Sequence, residues 1–153
     1  MRLGFLLFCG ALGLASAPAG AEEPEMLADV PSATAAGFAI VEMRNRPSEE
    51  YSDLVRQLVD DYARSHGVDR PVRSSWAPIR LPDGQVLLAV WPLGTEFNAP
   101  GADGGRLIVY AVRNDAAADL VLEDTAMRVA VRGGEIAAVD ENGFRVLRIQ
   151  NTP

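Results

Sequence analysis

The tightest constraint on this chain is the stretch from Trp76 to Trp91, two strand-like runs joined by Pro82-Asp83-Gly84. Pro82 presets φ for a turn, Asp83 bonds its own backbone, and Gly84 accepts a positive φ, so Leu81 and Gln85 are expected to close a β-hairpin. In the second strand Val86, Leu88 and Val90 share one face while Leu87, Ala89 and Trp91 share the other. Both faces are apolar, so this strand is expected to be covered on both sides. Its partner carries Pro78, which has no N–H for a ladder, and is therefore expected at a sheet edge.

The covering layer on one side is an amphipathic helix, expected from about Glu49 to Ser65. Tyr51, Leu54, Val55, Leu58, Val59 and Tyr62 fall on one stripe at helical spacing. Ser48 is expected to cap it, Glu49 and Glu50 to suit its positive end, and Gly67 to close it in the left-handed conformation. Asp60 and Arg64 form an i,i+4 pair on the outer face. A strand is expected from Gly37 to Met43 before the helix, and another from Arg106 to Arg113 after a long loop from Leu93 to Gly104. A short strand is expected at Leu120 to Leu122.

The last third carries the plainest β pattern. Ala126 to Arg132, Glu135 to Asp140 and Phe144 to Gln150 are joined by Gly133-Gly134 and Asn142-Gly143, both two-residue hairpin signals. Pairing across them sets Arg132 opposite Glu135 and Asp140 opposite Arg145, opposite charges in both cases. These elements define an α+β fold, one amphipathic helix packed on an antiparallel meander sheet. In element order alone it resembles the cystatin-like roll, an architecture shared by nuclear-transport-factor-type domains, and no activity follows from that likeness.

The N-terminus sets the compartment. Arg2, an apolar run from Leu3 to Leu14 and small residues ending in Ala19-Gly20-Ala21 read as a secretory signal peptide over residues 1–21. The apolar run is too short for the ~20 residues that span a bilayer, so no integral membrane span is expected. Ala15-Ser16-Ala17 also satisfies the small-residue rule, but cleavage there leaves Pro18 at the new terminus. Cys9, the single cysteine, lies within the segment removed, and Phe8 before it argues against lipid attachment. The processed chain then has no disulfide and depends on its core. Residues 22–36, acidic and then rich in Pro, Ser, Thr and Ala, are expected to be a mobile leader, and residues 37–153 a single α+β domain. The destination is the periplasm or the medium. A net charge of −7 disfavours nucleic acid and anionic membranes as partners.

No motif specifies a chemistry, and no catalytic residue, metal ligand set or cofactor is expected. His66 is the sole histidine, placed where a cation suits a helix C-terminus. Neither Ser74 nor Ser75 sits in the elbow that a Ser-His-Asp triad needs. Asp140-Glu141-Asn142-Gly143 and Asp103-Gly104-Gly105 lack the alternating ligands of a calcium loop and read as turns. The acidic residues offer no pair set apart by apolar context for glycoside hydrolysis, and no glycine-rich phosphate loop is present.

Two surfaces remain as candidates. In the expected register Met127, Val129, Val131, Ile136, Ala138, Leu147 and Ile149 face the core. The opposite face then carries Arg128, Arg132 and Arg148 around a floor of Ala130, Ala137, Val139 and Val146. Guanidinium forks match carboxylates, so this face reads either as a clasp for an acidic partner or as a solvated face with Arg132 neutralised by Glu135. The second candidate is a pocket between helix and sheet lined by Tyr51, Tyr62, Trp76 and Trp91. The first leads to an exported, non-enzymatic binding or accessory protein that engages another envelope protein. The second leads to a small-molecule-binding domain, or an enzyme using that pocket.

Overall fold

A computed structural model describes residues 28–97 and 104–149. The signal-peptide assignment, Cys9 and half of the Leu93 to Gly104 loop lie outside them.

The Trp76–Trp91 hairpin forms as expected. Strand β2 (Arg73–Arg80) pairs with β3 (Val86–Leu93) antiparallel, Arg80 opposite Val86. Leu81 donates its N–H to the Gln85 carbonyl at 2.8 Å, Gly84 turns with φ 88°, and Asp83 accepts from the Gln85 N–H at 2.9 Å. Beyond β3 the sheet continues through β4 (Gly105–Asn114) to β5 (Ala117–Ala126), in the order β2-β3-β4-β5. Pro78 is thereby on an edge strand. The strand expected over Leu120 to Leu122 is in fact ten residues long, because a tight turn at Asn114–Ala116 lets it pair along most of β4 with two register shifts.

Helix α2 (Ser52–Ser65) lies on one face of this sheet. Leu54, Val55, Val59, Tyr62 and Ala63 are buried against Trp76, Val86, Leu88, Val90, Ile108 and Tyr110. Each buried large aliphatic side chain contributes roughly 1.5–3 kcal/mol relative to exposure. The helix starts later than its sequence pattern indicates. Ser48 does not cap it: the chain turns through 47–51, and Tyr51 enters in the left-handed conformation at φ 70° without a side-chain cap. Gly67 closes the far end at φ 78° as expected. Arg64 pairs with Asp61 at 2.6 Å, while Asp60 offers it only a backbone carbonyl.

The meander is not one sheet. Between β5 and β6 (Arg128–Arg132) only Met127 intervenes, and there the chain leaves the first sheet for a second. That second sheet has the order β1-β6-β7-β8, with β1 at Ala39–Val41, β7 at Glu135–Asp140 and β8 at Gly143–Leu147. A second corner lies at the other side, where the chain passes from β1 to a backbone bridge between Arg44 and Trp76 of β2. Strands that switch sheets make the corners of such a packing. Between the sheets Ile79, Leu87, Ala89, Leu107 and Val109 meet Val129, Ile136, Ala138 and Leu147. The fold is α+β, with two antiparallel four-stranded sheets and one main helix, which differs from a single-sheet roll.

The segment expected as a mobile leader is structured where it is described. Residues Val30–Ala35 form a short helix, α1, with Pro31 in its first turn and Asp29 accepting from the Ser32 N–H at 3.2 Å. It covers the outer face of the second sheet, where Ala33 and Phe38 bury Ala130, Ala137 and Val139.

Candidate functional site

The arginine face expected from the register is not an open clasp. Of its floor, Ala130, Ala137 and Val139 are fully buried beneath α1 and Phe38, and only Val146 stays exposed. Arg132 is committed within the chain: it forks onto Glu135 at 2.8 and 3.0 Å, donates to the Ala36 carbonyl at 2.7 Å, and lies 4.4 Å from the Phe38 ring centre. Arg128 is exposed and, among the described residues, reaches only the Met127 carbonyl. Arg148 does not lie opposite Ala137, whose partner is Val146. The Asn142-Gly143 hairpin turns one residue earlier, on Glu141-Asn142, so Asp140 faces Gly143 and Arg145 faces Ala138. A shift of two keeps every side chain on its expected face. Arg145 therefore points between the sheets and grips Asp124 of β5.

Nor do the four aromatic candidates line one pocket. Tyr62 and Trp76 are buried in the helix–sheet core, and Tyr51 packs at its margin. Trp91 belongs to the opposite side of β3, between the sheets. The Tyr62 hydroxyl donates to Glu123, which also receives Arg106 at 2.8 Å, and the His66 ring stacks 4.2 Å from that of Tyr62. Burial first, then the Glu123 bond, pushes the Tyr62 hydroxyl up to about 12. Its bonds from Tyr62 and Arg106 hold Glu123 below the usual carboxylate range. This network ties the end of α2 to β4 and β5, and leaves the buried Arg106 Nε–H without a partner among the described residues. Among the described residues no group of three or more potential metal ligands comes together, and no helix is long and apolar enough to cross a membrane.

Two concavities bear on binding. The larger, about 630 Å3, opens between the sheets where the hairpin ends meet β8, with Leu81, Leu87, Val121 and Ile149 among its lining. Its rim holds Asp83, Asp119 and Glu135 against Arg113 and Arg148, a small acidic excess, and Arg113 is already paired with Asp119 at 2.8 Å.

The smaller, about 270 Å3, is a cleft between the flank of α2 and the edge strand β2. Val55, Val72 and Trp76 give it an apolar floor. Its charged lining is Arg46, Arg56 and Arg73 against the single Asp60. Its lining thus carries two more cations than anions in a chain of net charge −7, and Glu49 and Asp53 at its margin pair with two of them. Arg46 is fixed by Glu49 at 2.6 Å and by the Trp76 carbonyl at 3.0 Å, and its side chain is only 12% exposed. Arg56 holds Asp53 on open surface. Arg73, at the start of β2, is exposed and forms no ion pair among the described residues. The cleft combines an apolar floor, an unspent guanidinium and a sheet edge, and it is the stronger candidate. Of the residues expected to line a pocket, it contains only Trp76. Arg46, Arg56 and Arg73 come from a loop, a helix and a strand, and no local sequence pattern brings them together. Comparison of the chain with family models, curated proteins and solved structures finds no match in any of the three.

Proposed function

We propose that this chain is an exported, non-enzymatic binding or accessory protein of the periplasm or medium, and that it engages another envelope protein through the cleft between α2 and β2. The observation that carries the reading is a guanidinium, that of Arg73, left without an ion pair among the described residues beside an apolar floor on an acidic chain. Such a patch steers and holds an acidic partner, because desolvated guanidinium–carboxylate bonds are strong and like-charged partners are rejected. Export rests on the basic start, apolar run and Ala19-Gly20-Ala21 of the N-terminus. At about 270 Å3 the cleft is at the lower limit for a small-molecule pocket, and a protruding segment of a protein suits it better.

The test is capture of partners from envelope extract by the processed protein, its Arg73→Glu variant and its Arg148→Glu variant. Loss with Arg73→Glu alone supports the cleft. Loss with Arg148→Glu alone moves the surface to the groove between the sheets.

A further inference from the structure

Strand β2 is an edge, and the direction of its backbone groups can be read from its neighbours. Trp76 sends both its N–H and its C=O away from β3, to Arg44, at 2.9 and 3.4 Å. Along an extended antiparallel strand, alternate residues present these groups to the same side. Ser74 and Pro78 therefore share the outward orientation of Trp76, while Arg73, Ser75 and Ala77 bond to β3. Pro78 has no N–H to present, and its place on this parity is what lets a proline sit in the strand. Ser74 has both groups, and no other described segment takes them up. The chain that pairs with Trp76 does not continue along the edge: the Arg44 bridge is isolated, the chain turns from Pro47, and Arg46 sends its guanidinium back to the Trp76 carbonyl. The unpaired edge at Ser74 opens into the cleft walled by α2, with Val55, Val72 and Trp76 below.

An exposed strand edge beside a helix-walled groove is a site for strand addition, in which main-chain bonds give affinity and alternate side chains give specificity. We infer that the cleft takes a short extended segment of the partner as an added strand on β2. Its backbone bonds Ser74, one apolar side chain covers Val55, Val72 and Trp76, and a carboxylate lies against Arg73. Charge complementarity selects this occupant, since Glu49 and Asp53 already hold Arg46 and Arg56, and a basic or neutral segment leaves Arg73 without an anion. Asp60, on the helix side, repels a second acid there. The inference rests on the cleft being the partner-binding surface, and it adds how the partner is held.

The experiment uses the purified protein and an acetylated hexapeptide of alternating valine and threonine with aspartate as its last residue. Two analogues carry backbone N-methyl groups, one on the valines and one on the threonines. Only one alternating set of amides faces β2 in an added strand, so one analogue should lose binding at least tenfold while the other keeps it. Ser74→Pro should reproduce that loss with an unchanged melting temperature, because the position gives no hydrogen bond to β3. Equal binding of both analogues and the parent overturns strand addition, whether or not Ser74→Pro folds. No binding of the parent peptide at ~1 mM, a weak-contact threshold of about 4 kcal/mol, also overturns it. If strand addition fails while Arg73→Glu still abolishes partner capture, the cleft remains the binding surface and only the mode is wrong.

Discussion

The backbone bridge between Arg44 and Trp76 stops the pairing of β2 one outward position short of Ser74. That single bridge joins the two sheets at one corner, fixes which β2 residues face outward, and leaves an edge open beside α2. The fold and the candidate site thus share one structural cause.

The Asp124–Arg145 contact is the corresponding tie near the other corner. Arg145 donates to both carboxylate oxygens at 2.7 Å and to the Thr125 carbonyl at 2.9 Å, linking β8 to β5. A double-mutant cycle of Asp124→Asn and Arg145→Gln should give a coupling of about 0.5–1 kcal/mol, since the arginine is half exposed and solvent screens the pair. Equal additive effects would show that the tie contributes nothing.

Acid should loosen both this tie and the Tyr62–Glu123–Arg106 network. The Arg145 bonds hold Asp124 below its ordinary value of 3.8, and the Tyr62 bond, followed by that of Arg106, holds Glu123 below 4.5. Groups with depressed folded values contribute stability above their unfolded values and lose it as pH falls through the folded ones. Denaturant melts should therefore show stability falling below about pH 4.5, less steeply in Asp124→Asn. In alkali the sign is opposite for Tyr62. Its raised value, about 12, means the contribution is complete below pH 10 and lost as pH climbs toward 12. Tyr62→Phe, which strips Glu123 of a donor, should cost about 1–3 kcal/mol at neutral pH and remove that alkaline slope.

Packing of α2 ranks three alanine substitutions. Leu54 is buried and should cost about 2–5 kcal/mol on truncation. Leu58, on the same stripe but only partly buried, should cost less, and Gln57 on the outer face should be near neutral. Thermal melts check the order, and a Leu58→Ala loss equal to that of Leu54→Ala would show that the stripe packs evenly.

Much of this architecture is legible in the residues. Pro82-Asp83-Gly84 specifies its turn by backbone chemistry, the two apolar faces of Val86 to Trp91 demand a layer on each side, and the α2 stripe supplies one of them. What supplies the other is not legible, because no Gly or Pro marks Met127, where the chain changes sheets. The α1 helix has a cap at Asp29 and Pro31 behind it, but six residues are too few to display a helical period. Arginine positions follow parity correctly, yet parity cannot report that Phe38 and Ala33 cover the floor between them. The α2–β2 cleft is assembled from residues 45–47, 52–60 and 71–76. Sequence separation hides that juxtaposition until the sheet order is known.

The α1 cover should behave as part of the fold. Phe38 is 2% exposed and packs 5.2 Å from the Phe144 ring, so Phe38→Ala should cost about 3–5 kcal/mol. Amide exchange in β7 should quicken in that variant. Unchanged exchange at Ala137 and Val139 would show that the face needs no cover.

The central claim is that the partner docks on the cleft between α2 and β2. Its most direct measurement is amide chemical-shift mapping of the isotope-labelled protein, titrated with the partner purified from envelope extract by capture. The largest changes should cluster at Arg46, Ser52, Val55, Arg56, Arg73, Ser74 and Trp76, with slowed exchange of the Ser74 amide, and raising the salt should weaken them together. Changes centred instead on Gly134, Glu135, Arg148 and Ile149, with Ser74 unmoved, would contradict it.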